Sequence, residues 1–171
     1  SLMEENLLKV SWILSKSNKE KISKYIDVMK YYGFIISAVS NSKDFCVYAN
    51  LIVTTTNANE SLIYKDDIKE GTHITAMGSD TPDKRELDSE ILNIADFIVV
   101  DSIPQCLERG ETKNALDRNL IKKEDLIEIG SIIDSGKNLR KNNNEITVAD
   151  LTGVAVQDIM ITNAVYEQLI K

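Results

Sequence analysis

Residues 78–87, GSDTPDKREL, put a glycine, a proline and five charged side chains into one short stretch that follows a β-branched run. An aspartate in such a turn can anchor a substrate amine, and a lysine four residues later can reach a bound cofactor. Asp80 and Lys84 are therefore the first candidates for chemistry. The same composition also suits a plain turn running into a helix whose first residues are carboxylates, which complement the helix dipole. Three other segments carry polar groups where a strand gives way to a turn. Ser15, Lys16 and Ser17 follow an apolar run. An acid at that place would hold a ribose 2′-hydroxyl, and a base would accept a 2′-phosphate. Lys16 is the basic choice, and it competes with the reading of a surface lysine beside a helix cap. Thr54, Thr55, Thr56 and Asn57 offer hydroxyls and amides that could meet a ribose or phosphate, although threonine also favours strands. Residues 150–158, DLTGVAVQD, join a strand to a helix through Thr152 and Gly153. Backbone amides at such a helix start suit an anion or a carboxamide, and a tight connection would equally use Gly153 for its backbone freedom.

Other chemistries are poorly served. His73 is the only histidine, and its place in a strand suits a satisfied, partly buried side chain rather than a catalytic one. No Ser-His-Asp set or nucleophile elbow is present. Cys46 and Cys106 stand far apart without CxxC spacing, so no metal site is expected. Two isolated thiols suit a reducing cytoplasm. The net charge of −7 argues against nucleic acid, whose phosphates need a basic face. No apolar stretch approaches a membrane span, so no membrane partner is expected.

The elements that must position these residues follow from periodicity. Strands are predicted at residues 10–14, 34–39, 51–55, 72–77, 97–101 and 145–149. Helices are predicted from Ser17 to Gly33, at residues 42–48, at 87–95 with Asp83 or Asp88 as cap, and at 154–169. Residues 104–135 are predicted to be mostly helical, with breaks at Gly110 and Gly130. Ser17 and Glu20 have capping-box spacing, and Ile22, Ile26 and Met29 share a helical face. Strands separated by helices imply parallel crossovers. Near-continuous apolar strands fit a sheet covered on both faces. The expected fold class is α/β, a Rossmann-like doubly wound and mostly parallel sheet, in one domain of 171 residues. Ligands on such sheets bind at the carboxyl ends of the strands, where all four segments lie.

Taken together, GTHITAMGSDTPDKREL at residues 71–87, VVDS at 99–102 with Gln105, and DLTGVAVQD at 150–158 resemble the ornithine cyclodeaminase/mu-crystallin family, which also contains alanine dehydrogenases and ketimine reductases. The resemblance runs from about Val10 to the C-terminus. It implies NAD or NADP as cofactor and an amino acid or imine as substrate. It makes Asp80 the active-site aspartate beside the substrate amine. It places Lys84 near the cofactor, and Thr55, Thr56, Met77 and Gly78 along the dinucleotide. Lys16 stands where the family usually has arginine beside the adenosine ribose, with Ser17 next to it, and Thr152 and Gly153 lie at the closing helix start. Ornithine cyclodeamination implies hydride removal from the α-carbon, ring closure with loss of ammonia, and hydride return to give proline. Other members oxidise an amino acid or reduce an imine, and a mu-crystallin-like member serves as a binding protein. Ser79 and Asp83 depart mildly from the family pattern. Leu151 replaces a serine that several members place at the nicotinamide, a contact Thr152 could supply.

The family's glycine-rich loop and its first strand precede the strand at Val10, and the N-terminal substrate domain with the main dimer contacts lies further upstream. All three are expected to be absent from this chain, which is expected to be inactive alone and to belong to a homo-oligomer. In a sheet ordered 3-2-1-4-5-6 the absent strand is central. Its neighbours would keep unpaired backbone groups. Three closures are expected: residues 10–14 pair with 51–55, another chain fills the gap, or N-terminal residues supply a strand. Two separate sheets within one chain would defeat all three.

Overall fold

The computed structural model describes residues 9–13 and 19–170, in two compact units, Ser1–Ala49 and Asn50–Lys171. In the first unit, strands β1 (Lys9–Ile13) and β2 (Ile35–Val39) pair in parallel, with Lys9 opposite Ile35 and Ile13 opposite Val39. Helix α1 (Lys19–Tyr31) makes the crossover. Glu20 in its first turn and Lys30 in its last complement the dipole. Gly33 ends the helix at φ +83, and the Phe34 N–H reaches back to the Met29 carbonyl at 3.1 Å, the closing bond of a Schellman turn. Short α2 (Lys43–Cys46) buries Phe45 and Cys46. Ser17, the expected cap of α1, lies outside the described residues.

The second unit is built on a five-stranded parallel sheet. Its strands are β3 (Leu51–Thr54), β4 (His73–Ala76), β5 (Phe97–Val100), β6 (Leu126–Glu128) and β7 (Thr147–Asp150), in the order β3-β4-β7-β5-β6. β7 is central, and all four of its residues are buried. β4 and β5 alternate between buried and half-buried residues. On one face of the sheet Ile52, Ile74, Ile98, Val100 and Val148 are buried, as are Ile63, Leu87, Ile91 and Leu92 in the connecting segments, and each of these is at most 2% exposed. Burying an aliphatic side chain of this size stabilises the fold by about 1.5–3 kcal/mol, so this layer fixes the sheet. The connecting helices are α3 (Glu90–Ile94), α4 (Ile103–Cys106), α5 (Glu111–Asp117) and α6 (Ile129–Ser135), and α7 (Ala155–Leu169) closes the chain.

Several expectations need correction. Residues 10–14 do not pair with 51–55: β1 pairs with β2, β3 pairs with β4, and the strands form two sheets. That overturns the first of the three expected closures; closure by N-terminal residues falls on residues outside the described ones. The simple strand order also fails beyond β4, because the last strand inserts between β4 and β5. The region expected to be helical contains β6, which completes the sheet edge beside β5. Gly130 lies inside α6 and breaks nothing. Helix α3 starts at Glu90, later than expected. Residues 86–88 run extended instead, with the Leu62 and Ile63 amides donating to the Glu86 carbonyl at 2.7 and 3.2 Å. Of the two expected caps, Asp88 accepts from the Glu90 amide at 3.2 Å, while Ser89 occupies the cap position.

Candidate functional site

Parallel register brings the carboxyl ends of four strands into one row. Thr54 lies opposite Ala76, Ala76 opposite Asp150, and Asp150 opposite Val100. The next residues, Thr55, Met77, Leu151 and Asp101, therefore leave the sheet along a single edge. The Met77 amide still bonds the Thr54 carbonyl at 2.9 Å and the Leu151 amide the Ala76 carbonyl at 2.9 Å, which carries the row one residue past the strands. Thr55, Thr56 and Gly153 are exposed, and Met77 is 49% exposed beside the buried Ala76. An apolar side chain is thus held open at the edge where such sheets receive ligands.

The turn after β4 carries Asp80 and Lys84. The Lys84 Nζ donates to Asp80 Oδ1 at 2.6 Å, and the Ser79 hydroxyl donates to the Lys84 carbonyl at 2.6 Å. The Lys84 hydrogen bond holds the Asp80 carboxyl below the ordinary carboxylate range. The Asp80 side chain is 52% exposed and that of Lys84 29% exposed, so the carboxylate keeps an open side toward solvent.

Behind this edge lies a set of buried carboxylates that sequence reasoning passed over. Glu86 accepts from the Thr54 hydroxyl (2.6 Å) and the Gly78 amide (2.8 Å) on Oε2, and from the Thr56 amide (2.5 Å) and hydroxyl (2.8 Å) on Oε1. Glu111 accepts the Glu86 and Leu87 amides at 2.7 and 3.2 Å. Burial pushes the Glu111 carboxyl up to about 8, against the pull of those two amides. Asp150 is 1% exposed and accepts the Thr112 amide and hydroxyl on Oδ2. Asp101 accepts the Gly153 amide at 2.7 Å and the Thr152 hydroxyl at 3.2 Å, fixing the turn into α7, where Gly153 has φ +86. The available signal was an acid at the ends of β5 and β7, Asp101 and Asp150, and a glutamate just before Leu87 in the charged turn after β4.

Of the expected site residues, Thr55, Thr56, Met77, Gly78, Asp80, Lys84, Thr152 and Gly153 all sit on or next to this carboxyl edge. Thr152 is buried, and its hydroxyl is taken by Asp101. Lys16 and Ser17 lie outside the described residues. His73 is the first residue of β4, at the opposite end of the strands. Its ring bonds Thr147 at 2.6 Å and Thr75 at 3.1 Å, and burial lowers its pKa, so it is a satisfied neutral side chain as expected. A cavity of about 270 Å³ lined by His73, Phe97, Arg140 and Thr147 lies at that same amino end, away from Asp80. Cys106 is free and buried, and burial pushes its thiol up to about 12, which removes it as a nucleophile. Among the described residues no group of acids, histidines and cysteines could hold a metal ion, and no helix is long and apolar enough to cross a membrane.

The sequence matches the ornithine cyclodeaminase/mu-crystallin family over residues 7–171. The chain belongs to this family. Family relatives include an alanine dehydrogenase of Archaeoglobus fulgidus, 39% identical over 77% of this chain and 41% of its own length. An uncharacterized cyclodeaminase of Sinorhizobium fredii is 36% identical over 80% of this chain and 42% of its own. The iminosuccinate reductase of Paracoccus denitrificans is 32% identical over 86% and 45%. Among solved family structures, an archaeal alanine dehydrogenase dimer with bound NAD superposes with a TM-score of 0.84 at 34% identity, covering 95% of this chain and 49% of the other. The chain thus spans about half the length of the family members it matches, and the fold is that of their Rossmann-like dinucleotide domain.

Proposed function

We propose that this chain is the dinucleotide-binding half of an NAD-dependent enzyme that interconverts an amino acid and its imine. The observation that carries the reading is the ionised Asp80 carboxylate, held by Lys84 on the carboxyl edge of the sheet one turn from the open Met77. The residues present fit a nicotinamide. Met77 offers an apolar surface, and Gly78 passes so close to the neighbouring strand that an added Cβ would lie 2.0 Å from the Thr56 carbonyl oxygen. When bound, the dinucleotide supplies the hydride donor or acceptor. Asp80 balances the positive charge on the substrate nitrogen as the amine becomes an iminium, and Lys84 keeps that carboxylate ionised and in place. Thr55, Thr56, Thr152 and Gly153 border the cofactor.

Dehydrogenation or imine reduction ranks ahead of ring-closing deamination because most of the named relatives at 30% identity or more carry such activities in their names. Ornithine cyclodeamination to proline and ammonia passes through the same kind of imine and is the second reading, favoured by the 36% identical cyclodeaminase. We infer a homo-oligomer as well, since α7 exposes apolar residues that a partner surface would cover. Neither Cys46 nor Cys106 forms a disulfide, which supports a reducing compartment such as the cytoplasm.

The test uses the full-length protein with NADH and a panel of α-imino acids, and separately with ornithine. NADH consumption with an imino acid, lost in Asp80→Asn, is the expected result. Ammonia release from ornithine without net NADH change would install the second reading, and no reaction in either assay would remove both. Parallel calorimetric titration with NADH and NADPH settles the 2′ preference that Lys16 left open.

A further inference from the structure

The turn that carries Asp80 and Lys84 begins at Gly78 and ends at Glu86, and the Glu86 side chain folds back to close it. Glu86 is wholly buried. Its two oxygens receive four hydrogen bonds, two from β3's end on the Thr56 side, one from Thr54 and one from the Gly78 amide beyond β4. All four partners are donors. A carboxylate has acceptor capacity on both oxygens and no proton to offer, so it matches this set, whereas a carboxamide would present an NH₂ to one of the two backbone amides. Space is equally committed: an added Cβ on Gly78 would lie 2.4 Å from Glu86 Oε1 and 2.0 Å from the Thr56 carbonyl oxygen. The Glu86 backbone is itself anchored, since its amide donates to Glu111. Past the last ladder bond, from the Met77 amide to the Thr54 carbonyl, the residues leaving β3 and β4 are therefore tied together by one side chain that faces neither solvent nor the open edge.

We propose that Glu86 is a positioning residue for the cofactor site, its buried carboxylate fixing the two strand ends that carry Thr55, Thr56, Met77 and Gly78. This rests on the dinucleotide reading above and deepens it. Glu86 touches neither cofactor nor substrate. It sets where the edge residues stand, and by closing the turn it sets where Asp80 stands.

The test compares the full-length wild type with Glu86→Gln. A core variant, Ile98→Val, serves as the stability control, because Ile98 is buried in β5 remote from this clamp. Two readouts are needed: amide exchange at Thr56 and Gly78 without cofactor, and the NADH dissociation constant. A carboxamide in place of the carboxylate leaves one buried amide donor without an acceptor. Glu86→Gln is therefore expected to unprotect one of the two amides and to weaken NADH binding about tenfold or more, while Ile98→Val leaves both readouts near wild type. Unchanged NADH affinity in Glu86→Gln overturns the proposal, and so does weakened affinity with both amides still protected. If Glu86→Gln does not fold, Thr54→Val removes one donor from Oε2 and carries the same comparison: weaker NADH binding supports the clamp and unchanged binding overturns it. The affinity is read with whichever of NADH and NADPH wild type binds: wild type that binds neither overturns the dinucleotide reading and this proposal with it, whereas wild type that binds alongside an unaffected Glu86→Gln overturns only the clamp.

Discussion

Thr112 donates both its amide and its hydroxyl to one oxygen of the buried Asp150 carboxyl, each at 2.8 Å, while the other oxygen, Oδ1, has no hydrogen-bond partner among the described residues. Gly110 makes this packing possible, because a Cβ there would lie 2.6 Å from Oδ2. Burial raises the Asp150 carboxyl from its ordinary 3.8 to about 6, against the pull of the Thr112 hydrogen bonds. A carboxyl raised in the folded state contributes stability that is complete below the unfolded value and is lost as pH rises through the folded value. For Asp150 that window runs from about 4 to about 6. Asp150→Asn keeps an acceptor for Thr112 and removes the charge. Its stability relative to wild type should improve across that window by on the order of 3 kcal/mol, then level off. Urea unfolding of both proteins at a series of pH values measures this. A pH-independent difference would refute the buried-charge account.

Glu111 acts in the same direction over a wider range, its carboxyl moving from an ordinary 4.5 to about 8. These acids explain why so much of the site was hidden in the sequence. Asp80, Lys84 and Gly78 stood out as candidates because a charged, glycine-containing turn after an apolar strand is a local pattern, and their expected roles, with those of the Thr55–Thr56 pair, came from the resemblance of the segment to the family. Glu86 and Glu111 lie 25 residues apart and meet only because α5 packs beneath the turn. A buried glutamate and a solvated one look identical in a chain with 27 acidic residues. The same limit applies to the sheet. Most strands were found by their apolar runs, but β6 has three residues in a helical stretch, too few for a period to register. The insertion of β7 between β4 and β5 is a long-range pairing that alternation does not encode.

Gly78→Ala should be among the most damaging small substitutions in the chain. The new methyl would sit 2.0 Å from a backbone oxygen, which cannot swing aside as a flexible side chain can. Overpacking against a fixed backbone costs about 3 kcal/mol or more. The added group would push β4's end away from Thr56, so NADH affinity should fall along with stability. Urea unfolding and calorimetric titration read the two effects separately. Wild-type stability in Gly78→Ala would mean that the strand ends are not held at this spacing.

Asp80→Asn should behave in the opposite way. Its ion pair with Lys84 is half exposed, and surface pairs of this kind contribute at most about 1 kcal/mol. Thermal stability of the full-length protein should barely change. Turnover should fall about a hundredfold or more if the carboxylate faces developing charge on the substrate nitrogen. Lys84→Met should retain more activity at high pH than at low pH, because Asp80 loses the cation that holds its carboxyl below the ordinary range. Steady-state rates across pH distinguish the two variants. A stable Asp80→Asn enzyme with full activity would remove Asp80 from the chemistry.

Helix α7 makes the last prediction. None of its residues is buried, and Val156, Ile159, Met160, Ile161, Val165, Tyr166 and Leu169 are each more than half exposed. Apolar residues around the whole circumference of a helix mark an element meant to be covered. Contiguous patches of that size on a protein surface drive association. The 171-residue chain should therefore run larger than its 19.2 kDa monomer in light scattering coupled to size exclusion. Replacing Met160 and Ile161 by glutamate should restore the monomer without lowering the unfolding midpoint, because neither side chain packs in the core. A wild-type chain that stays monomeric would show that α7 tolerates water, and would withdraw the structural support for the homo-oligomer.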